Sequence, residues 1–410
     1  MPASRALVRL AAALAFAYVL RGKVFGLPFT TLELALLALL VVYGFEKARS
    51  GERLPDPRRM AYFWPVALLL VAATISAVIA PDRRASLGIW KAYFIEPALA
   101  AYVIADVSRA RADLEKLLHG FFIAGVVVSA INTMAFIVAL AAHRPHLVES
   151  PVVVLYLTPN ATGLFLAPLA AAAAALVAFG QRREKRLGAV FFILAVPAIA
   201  LSFSRGAWLG LALALLLLAA LHPRRRVALA AVAVVAVASL FLPPVRRRIA
   251  HEFDPHDPLN SVNTRVDLWR AVFAMMKSGA HPLTGTGLSG FRAALAPYKD
   301  VSAYREDHIY GHNLFLDFWT ETGLLGLIAF VWLVADAVRR TWTALRAHTA
   351  LHAYHAAFAA AGVVILVHGM IDNPFFKNDL SWMTFALLGM HAAALRQDRA
   401  RAEAGERMVA

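Results

Sequence analysis

The sequence contains no cysteine. Disulfides, thiolate catalysis and cysteine-ligated metals are therefore excluded. Charge is also scarce. Only 16% of the 410 residues are charged while 60% are hydrophobic, an imbalance foreign to a water-soluble domain. The charge that is present leans one way, with 41 Lys and Arg against 26 Asp and Glu. A nucleic-acid partner would explain a basic chain. Membrane proteins collect Lys and Arg in cytoplasmic loops, however, and that reading suits the apolar composition. No nucleic acid is expected.

Two further signatures are missing. Gly285, Gly287 and Gly290 resemble a phosphate-cradling loop, but no Lys-Ser or Lys-Thr follows and no strand precedes. A nucleotide P-loop and a dinucleotide fold are both rejected. Metal-ligand spacing is also absent. His251, Asp254, His256 and Asp257 come closest, and no metal or other cofactor is expected.

What the chain does have is a series of long apolar runs, which predicts an all-α, polytopic helical membrane protein. Twelve spans are expected, near 6–20, 28–45, 61–80, 87–107, 118–141, 159–180, 188–203, 206–221, 227–243, 312–338, 352–371 and 380–396. Ala15 and Ala17 form a small-x-small triplet inside the first run rather than after it, so that run reads as an uncleaved span rather than a signal peptide. The seventh and eighth spans are joined only around Ser204 and Arg205, which predicts a tight helical hairpin.

With the N-terminus inside, 24 Lys and Arg fall on the inner segments and 7 on the short outer loops. The asymmetry fits twelve spans with both termini cytoplasmic. The predicted organisation is spans one to nine over 1–243, a periplasmic helical segment over 244–311, spans ten to twelve over 312–396, and a cytoplasmic tail over 397–410. The outer segment holds nine basic residues, which long translocated segments tolerate. A capped helix is expected from Asn263 or Thr264 to Met276, a glycine-rich turn around 279–290, and a short helix over 291–299.

The candidate site lies where the outer segment meets the tenth span. His312 and Asn313 open the apolar run, and Gly323 and Gly326 follow on one helix face, where small residues permit close packing. The bland reading of His312-Asn313 is a helix start with an Asn cap. Asp307 and His308 lie within a turn upstream, close enough to orient an imidazole or share its proton. Arg205 is pinned beside Ser202, Ser204 and Gly206, a setting that suits a phosphate, although a snorkelling interfacial Arg would read alike. Arg265 alone would be a solvated arginine. Lys91, Arg83, Arg84, Arg270 and Arg292 are further basic candidates. Asp372 either pairs with an arginine or caps a loop.

His312-Asn313, nine residues, Gly323, two residues and Gly326 resemble the signature of the O-antigen ligase family. Residues from Arg265 to Phe291, with Trp269, Pro282, Gly285 and Gly287, are similar to the rest of that superfamily's domain, as is the Ser204-Arg205-Gly206 turn. The resemblance covers roughly 190–340. It implies a C-type glycosyltransferase fold that transfers O-antigen from undecaprenyl pyrophosphate to a sugar hydroxyl of lipid A–core, metal-independent and inverting. In that frame His312 is the general base, and Arg205 and Arg265 hold the pyrophosphate. Membrane lipids are further partners. An O-antigen polymerase would use the same donor with a second lipid-linked glycan. A small-anion transporter would also use intramembrane Arg and His, but no internal repeat is apparent, and a non-catalytic scaffold leaves the polar junction unexplained.

Overall fold

The structure, a computed structural model, describes residues 1–24, 27–142, 154–156, 158–241, 245–246, 250, 261–278, 282–298 and 308–409. Its elements are α1 (Pro2–Ala13), a 3-10 turn (Ala15–Val19), β1 (Arg21–Val24), β2 (Leu27–Thr30), α2 (Thr31–Ser50), α3 (Phe63–Ile79), α4 (Arg83–Ile89), a π turn (Trp90–Ile95) and α5 (Glu96–Val107). Then come α6 (Arg111–Ala141), α7 (Pro159–Phe179), α8 (Arg182–Leu201), α9 (Arg205–Leu221) and α10 (Arg225–Leu240). The remainder is α11 (Ser261–Ser278), α12 (Phe291–Leu295), α13 (Leu314–Arg346), α14 (His352–Gly369) and α15 (Asn378–Val409).

The molecule is helical almost throughout. Among the described residues, five helical stretches are long and apolar enough to cross a membrane: Arg83–Val107, Arg111–Ala141, Pro159–Phe179, Leu314–Arg346 and His352–Gly369. Phe63–Ile79 and Arg205–Leu221 are apolar but shorter. Large apolar side chains point outward, with Val41 at 72% and Ile193 at 69% exposure. Contiguous apolar surface of this kind suits lipid rather than water. The two strands were not foreseen. They pair antiparallel, with Arg21 opposite Thr30 and Val24 opposite Leu27; β1 falls between the first two expected spans, and β2 runs into the start of the second, 28–45.

α7 is the axis of the main core. Almost every side chain from Ala161 to Leu176 is buried, and its alanines allow α14, α8 and α9 to approach closely. The connection between α8 and α9 is as short as expected, only Ser202 to Ser204, with Phe203 at φ 50°. The two helices nevertheless pack on α7 far more than on each other, so the predicted hairpin is a tight turn between diverging helices.

In the outer segment, α11 begins at Ser261, earlier than the expected Asn263 or Thr264 cap. Leu268, Val272, Met275 and Met276 of α11 bury themselves with Phe291 and Leu295 of α12, and Leu316 and Trp319 of α13 cover that cluster. α11 and α12 therefore sit directly on the first turns of α13.

Gly323 departs from its predicted role. It breaks α13 at φ 70°, ψ −175°, a conformation essentially restricted to glycine. At the break Leu324 N donates to Leu283 O at 3.0 Å, and Thr286 N donates to Thr320 O at 2.7 Å. The glycine-rich stretch thus docks into the interrupted helix like a short strand. Gly326 does face another helix, 3.6 Å from Ala72 of α3 to its would-be Cβ.

Candidate active site at the C-terminal turn of α14

The polar junction is built around residues 368–373, the turn that follows α14. His312 Nδ1 lies 2.9 Å from Asp372 Oδ1. The other oxygen, Asp372 Oδ2, accepts from Asn160 Nδ2 at 2.9 Å. Asn160 sits in the first turn of α7. Asn313 Nδ2 donates to Met370 O at 3.0 Å, and Arg265 Nε of α11 donates to Ile371 O at 2.8 Å. Ser204 Oγ, just ahead of α9, is 3.3 Å from His368 Nε2. One turn of chain therefore gathers groups from α7, α9, α11 and α13.

The local sequence explains why His312 is held there. Asn313 caps α13, its Oδ1 accepting from Phe315 N and Leu316 N. Ahead of it, Gly311 N donates to Asp317 Oδ1 at 2.7 Å and Gly311 O accepts from Trp269 Nε1 at 2.9 Å. These clamps hold His312 at φ 50°, a region that non-glycine residues occupy only when their surroundings over-determine it.

The electrostatics fix the imidazole's hydrogen. An ionised carboxylate can only accept. Burial alone would raise the Asp372 carboxyl, but the hydrogen bond from His312 and the nearby His312, His368 and Arg265 charges outweigh it and hold the group well below the usual carboxylate range. His312 Nδ1 therefore carries the hydrogen, and in the neutral ring Nε2 keeps its lone pair. The His312 side chain retains 25% of its exposure. The result is an oriented base at an accessible position.

The other candidates fall as follows. His308 is buried, with its ring edge-on to His312 at 5.2 Å between centroids. Asp307 lies outside the described residues, as do His251, Asp254, His256 and Asp257. Arg205 opens α9 between Ser204 and Gly206. Ser204 bonds His368, and a Cβ on Gly206 would strike the same ring, so Arg205 starts its helix against His368. Lys91 belongs to a separate cluster. Its Nζ is 2.9 Å from Glu33 Oε1, 3.8 Å from Glu96 Oε1 and 3.9 Å above the Phe29 ring. Among the described residues no hydrogen bond or ion pair joins it to His312. Asp372 pairs with His312, and among the described residues it forms no ion pair with an arginine.

Sequence reasoning missed Asn160, His368 and Asp317. Asp317 was legible in principle, since a carboxylate one turn inside an apolar span calls for a purpose. Asn160 and His368 became meaningful only once the fold brought their helix ends together.

Residues 190–331 match a protein-family model described as O-antigen ligase. That interval contains Arg205, Arg265, His312, Asn313, Gly323 and Gly326. An uncharacterized protein of Haemophilus influenzae is 24% identical over 176 residues, which is 38% of this chain and 44% of the relative. The chain thus spans less than half the length of that relative.

Proposed function

From its place in the O-antigen ligase/polymerase superfamily, we infer that the protein is an O-antigen ligase. It moves O-antigen polysaccharide from undecaprenyl pyrophosphate to a sugar hydroxyl of lipid A–core at the periplasmic face of the bacterial inner membrane. The proposed architecture is a C-type glycosyltransferase fold with about twelve spans and both termini cytoplasmic.

The observation that carries this reading is the His312–Asp372 pair. His312 Nε2 takes the proton of the acceptor hydroxyl as its oxygen attacks the anomeric carbon. The new C–O bond forms on the face opposite the leaving group, the bond to the pyrophosphate oxygen breaks, and the configuration inverts. Asp372 stabilises the imidazolium that forms, and Asn160 holds Asp372 in place. The departing pyrophosphate gathers negative charge, for which Arg205 and Arg265 supply permanent forked donors. Arginine in that role is consistent with a metal-independent reaction. Each such charge-assisted contact contributes about 1.5–3 kcal/mol.

The test is reconstitution of the purified protein with lipid-linked O-antigen and lipid A–core, with and without chelator. Ligated lipopolysaccharide that persists in chelator is the expected product. Growth of the lipid-linked glycan itself, with lipid A–core ignored, would identify a polymerase instead. Normal ligation by His312→Ala would remove His312 as the base.

A further inference from the structure

Far from His312, two cavities lie side by side along α5 and α15. The first is an apolar groove of about 560 Å³, lined by Tyr62, Val66 and Leu70 of α3, Ala98 and Tyr102 of α5, and Leu388 of α15. Its size falls within the usual range of small-molecule sites. The second, about 490 Å³, is polar and is lined by Asp106, Arg109, Arg396, Gln397 and Arg401, with Ala400 and Ala404. They are neighbours along two helices. Ala105 lines the groove and Asp106 the polar cavity, and on α15 Ala392 and Arg396 do the same one turn apart.

Their position places them at the opposite end of the bundle. α15 starts at Asn378, just after the turn that holds Asp372. Arg396 lies 18 residues further on, about 27 Å at the rise of a helix, which is close to the hydrocarbon thickness of a bilayer. The groove therefore faces acyl chains, and the polar cavity sits at headgroup depth in the leaflet away from His312.

The polar cavity has cationic charge to spare. Asp106 is satisfied by Lys47 at 2.9 Å, and Glu52 by Lys47 and Arg109 at 3.2 and 3.1 Å. Arg396 reaches the Asp106 and Ser108 carbonyls at 3.2 and 3.1 Å and approaches the Asp106 carboxylate only at 3.9 Å. Among the residues that line it, three arginines, Arg109, Arg396 and the exposed Arg401, face one carboxylate, Asp106. A second feature is independent of charge. Gln397 is buried, its Nε2 donates to Ser108 O at 3.0 Å, and its Oε1 is buried without a hydrogen-bond donor. Such an acceptor is costly unless a hydroxyl or water meets it.

We propose that these neighbouring cavities together hold one anionic phospholipid with a hydroxylated headgroup, of the phosphatidylglycerol class. One acyl chain lies in the groove between α3, α5 and α15. The phosphate sits among Arg109, Arg396 and Arg401, and a headgroup hydroxyl donates to Gln397 Oε1. The occupant is a lipid rather than a free anion because an apolar groove adjoins the cationic cavity along both α5 and α15.

The full-length protein in detergent, exchanged against mixed phosphatidylglycerol and phosphatidylcholine and measured by native mass spectrometry, tests this. One phosphatidylglycerol should be retained at least about tenfold in preference to phosphatidylcholine. Arg109→Gln with Arg401→Gln should bring that preference close to unity. Ala98→Phe, which fills the groove from a partly exposed position, should lower retention of both lipids. Thermal unfolding in pure phosphatidylcholine identifies a misfolded variant, for which Ala67→Leu is the replacement. Equal retention of the two lipids would overturn the proposal. So would wild-type retention by the folded groove-filling variant, or displacement of the lipid by millimolar inorganic phosphate.

Discussion

His312 Nδ1 and Asp372 Oδ1, 60 residues apart in the chain, lie 2.9 Å from each other. The bond joins the start of α13 to the turn that ends α14, and it fixes which imidazole nitrogen is left free. Asp372→Asn preserves the size of the side chain but removes the charge that holds the tautomer, as in other base–carboxylate pairs. Transfer by Asp372→Asn should fall by about 10²–10⁴, close to the loss in His312→Ala. The double variant should be scarcely worse than either single one, because the two groups act as a unit. Single-turnover rates with saturating donor provide the measurement.

Asp372 also makes a prediction in pH. Its folded-state ionisation lies below the unfolded value of about 3.9. A depressed carboxyl contributes stability that is fully present above the unfolded value and is lost as pH falls toward the folded one. The stability advantage of wild type over Asp372→Asn should therefore persist from neutrality to about pH 5 and shrink below about pH 4. Denaturant unfolding in detergent at a series of pH values measures this gap. A gap that closed near pH 6 would mean that the carboxylate is not held in the way described.

Much of this arrangement could be read from the sequence. The apolar runs gave the helical class because a buried backbone in lipid must satisfy itself within helices. His312 and Asn313 stood out because polar groups at the mouth of an apolar run carry a cost. The partner of His312 did not stand out. Asp307 and His308 were nearer in sequence, but the chain reverses after α14 and delivers Asp372 from sixty residues away. Gly323 was visible as a motif, yet its role was misjudged. Small-residue spacing suggests helix packing, and nothing local reveals that Leu283 and Thr286 will hydrogen-bond across a helix break.

That break leads to a third prediction. A Cβ on Gly323 would lie 2.3 Å from Leu283 O, at a backbone conformation that side chains scarcely adopt. Gly323→Ala should cost at least about 3 kcal/mol, from backbone strain together with the clash. It should also release the glycine-rich stretch, making 282–298 more sensitive to limited proteolysis. Gly362→Ala is the control. It lies inside α14 with open space around its would-be Cβ, and it should be neutral or stabilising by about 0.5–1 kcal/mol.

The other end of the bundle carries a network whose value is structural. Glu184 of α8 is almost fully buried and receives Arg111 Nε of α6 at 2.7 Å and Tyr354 Oη of α14 at 2.6 Å. Arg111 Nη2 grips the second oxygen, which also accepts from Gln181 N at 2.7 Å. Three helices that surround α7 are thus tied through one carboxylate. Arg111→Met leaves that carboxylate buried without its countercharge, which costs about 3–5 kcal/mol. Arg111→Lys keeps the charge but loses the forked grip and should fall between wild type and Arg111→Met. Arg111→Met combined with Glu184→Gln removes both charges, so the pair should be less destabilised than Arg111→Met alone. Thermal unfolding of the four proteins in one detergent sets the order. A double variant that melts below Arg111→Met would show that the uncompensated Glu184 carboxylate is not the source of the loss in Arg111→Met.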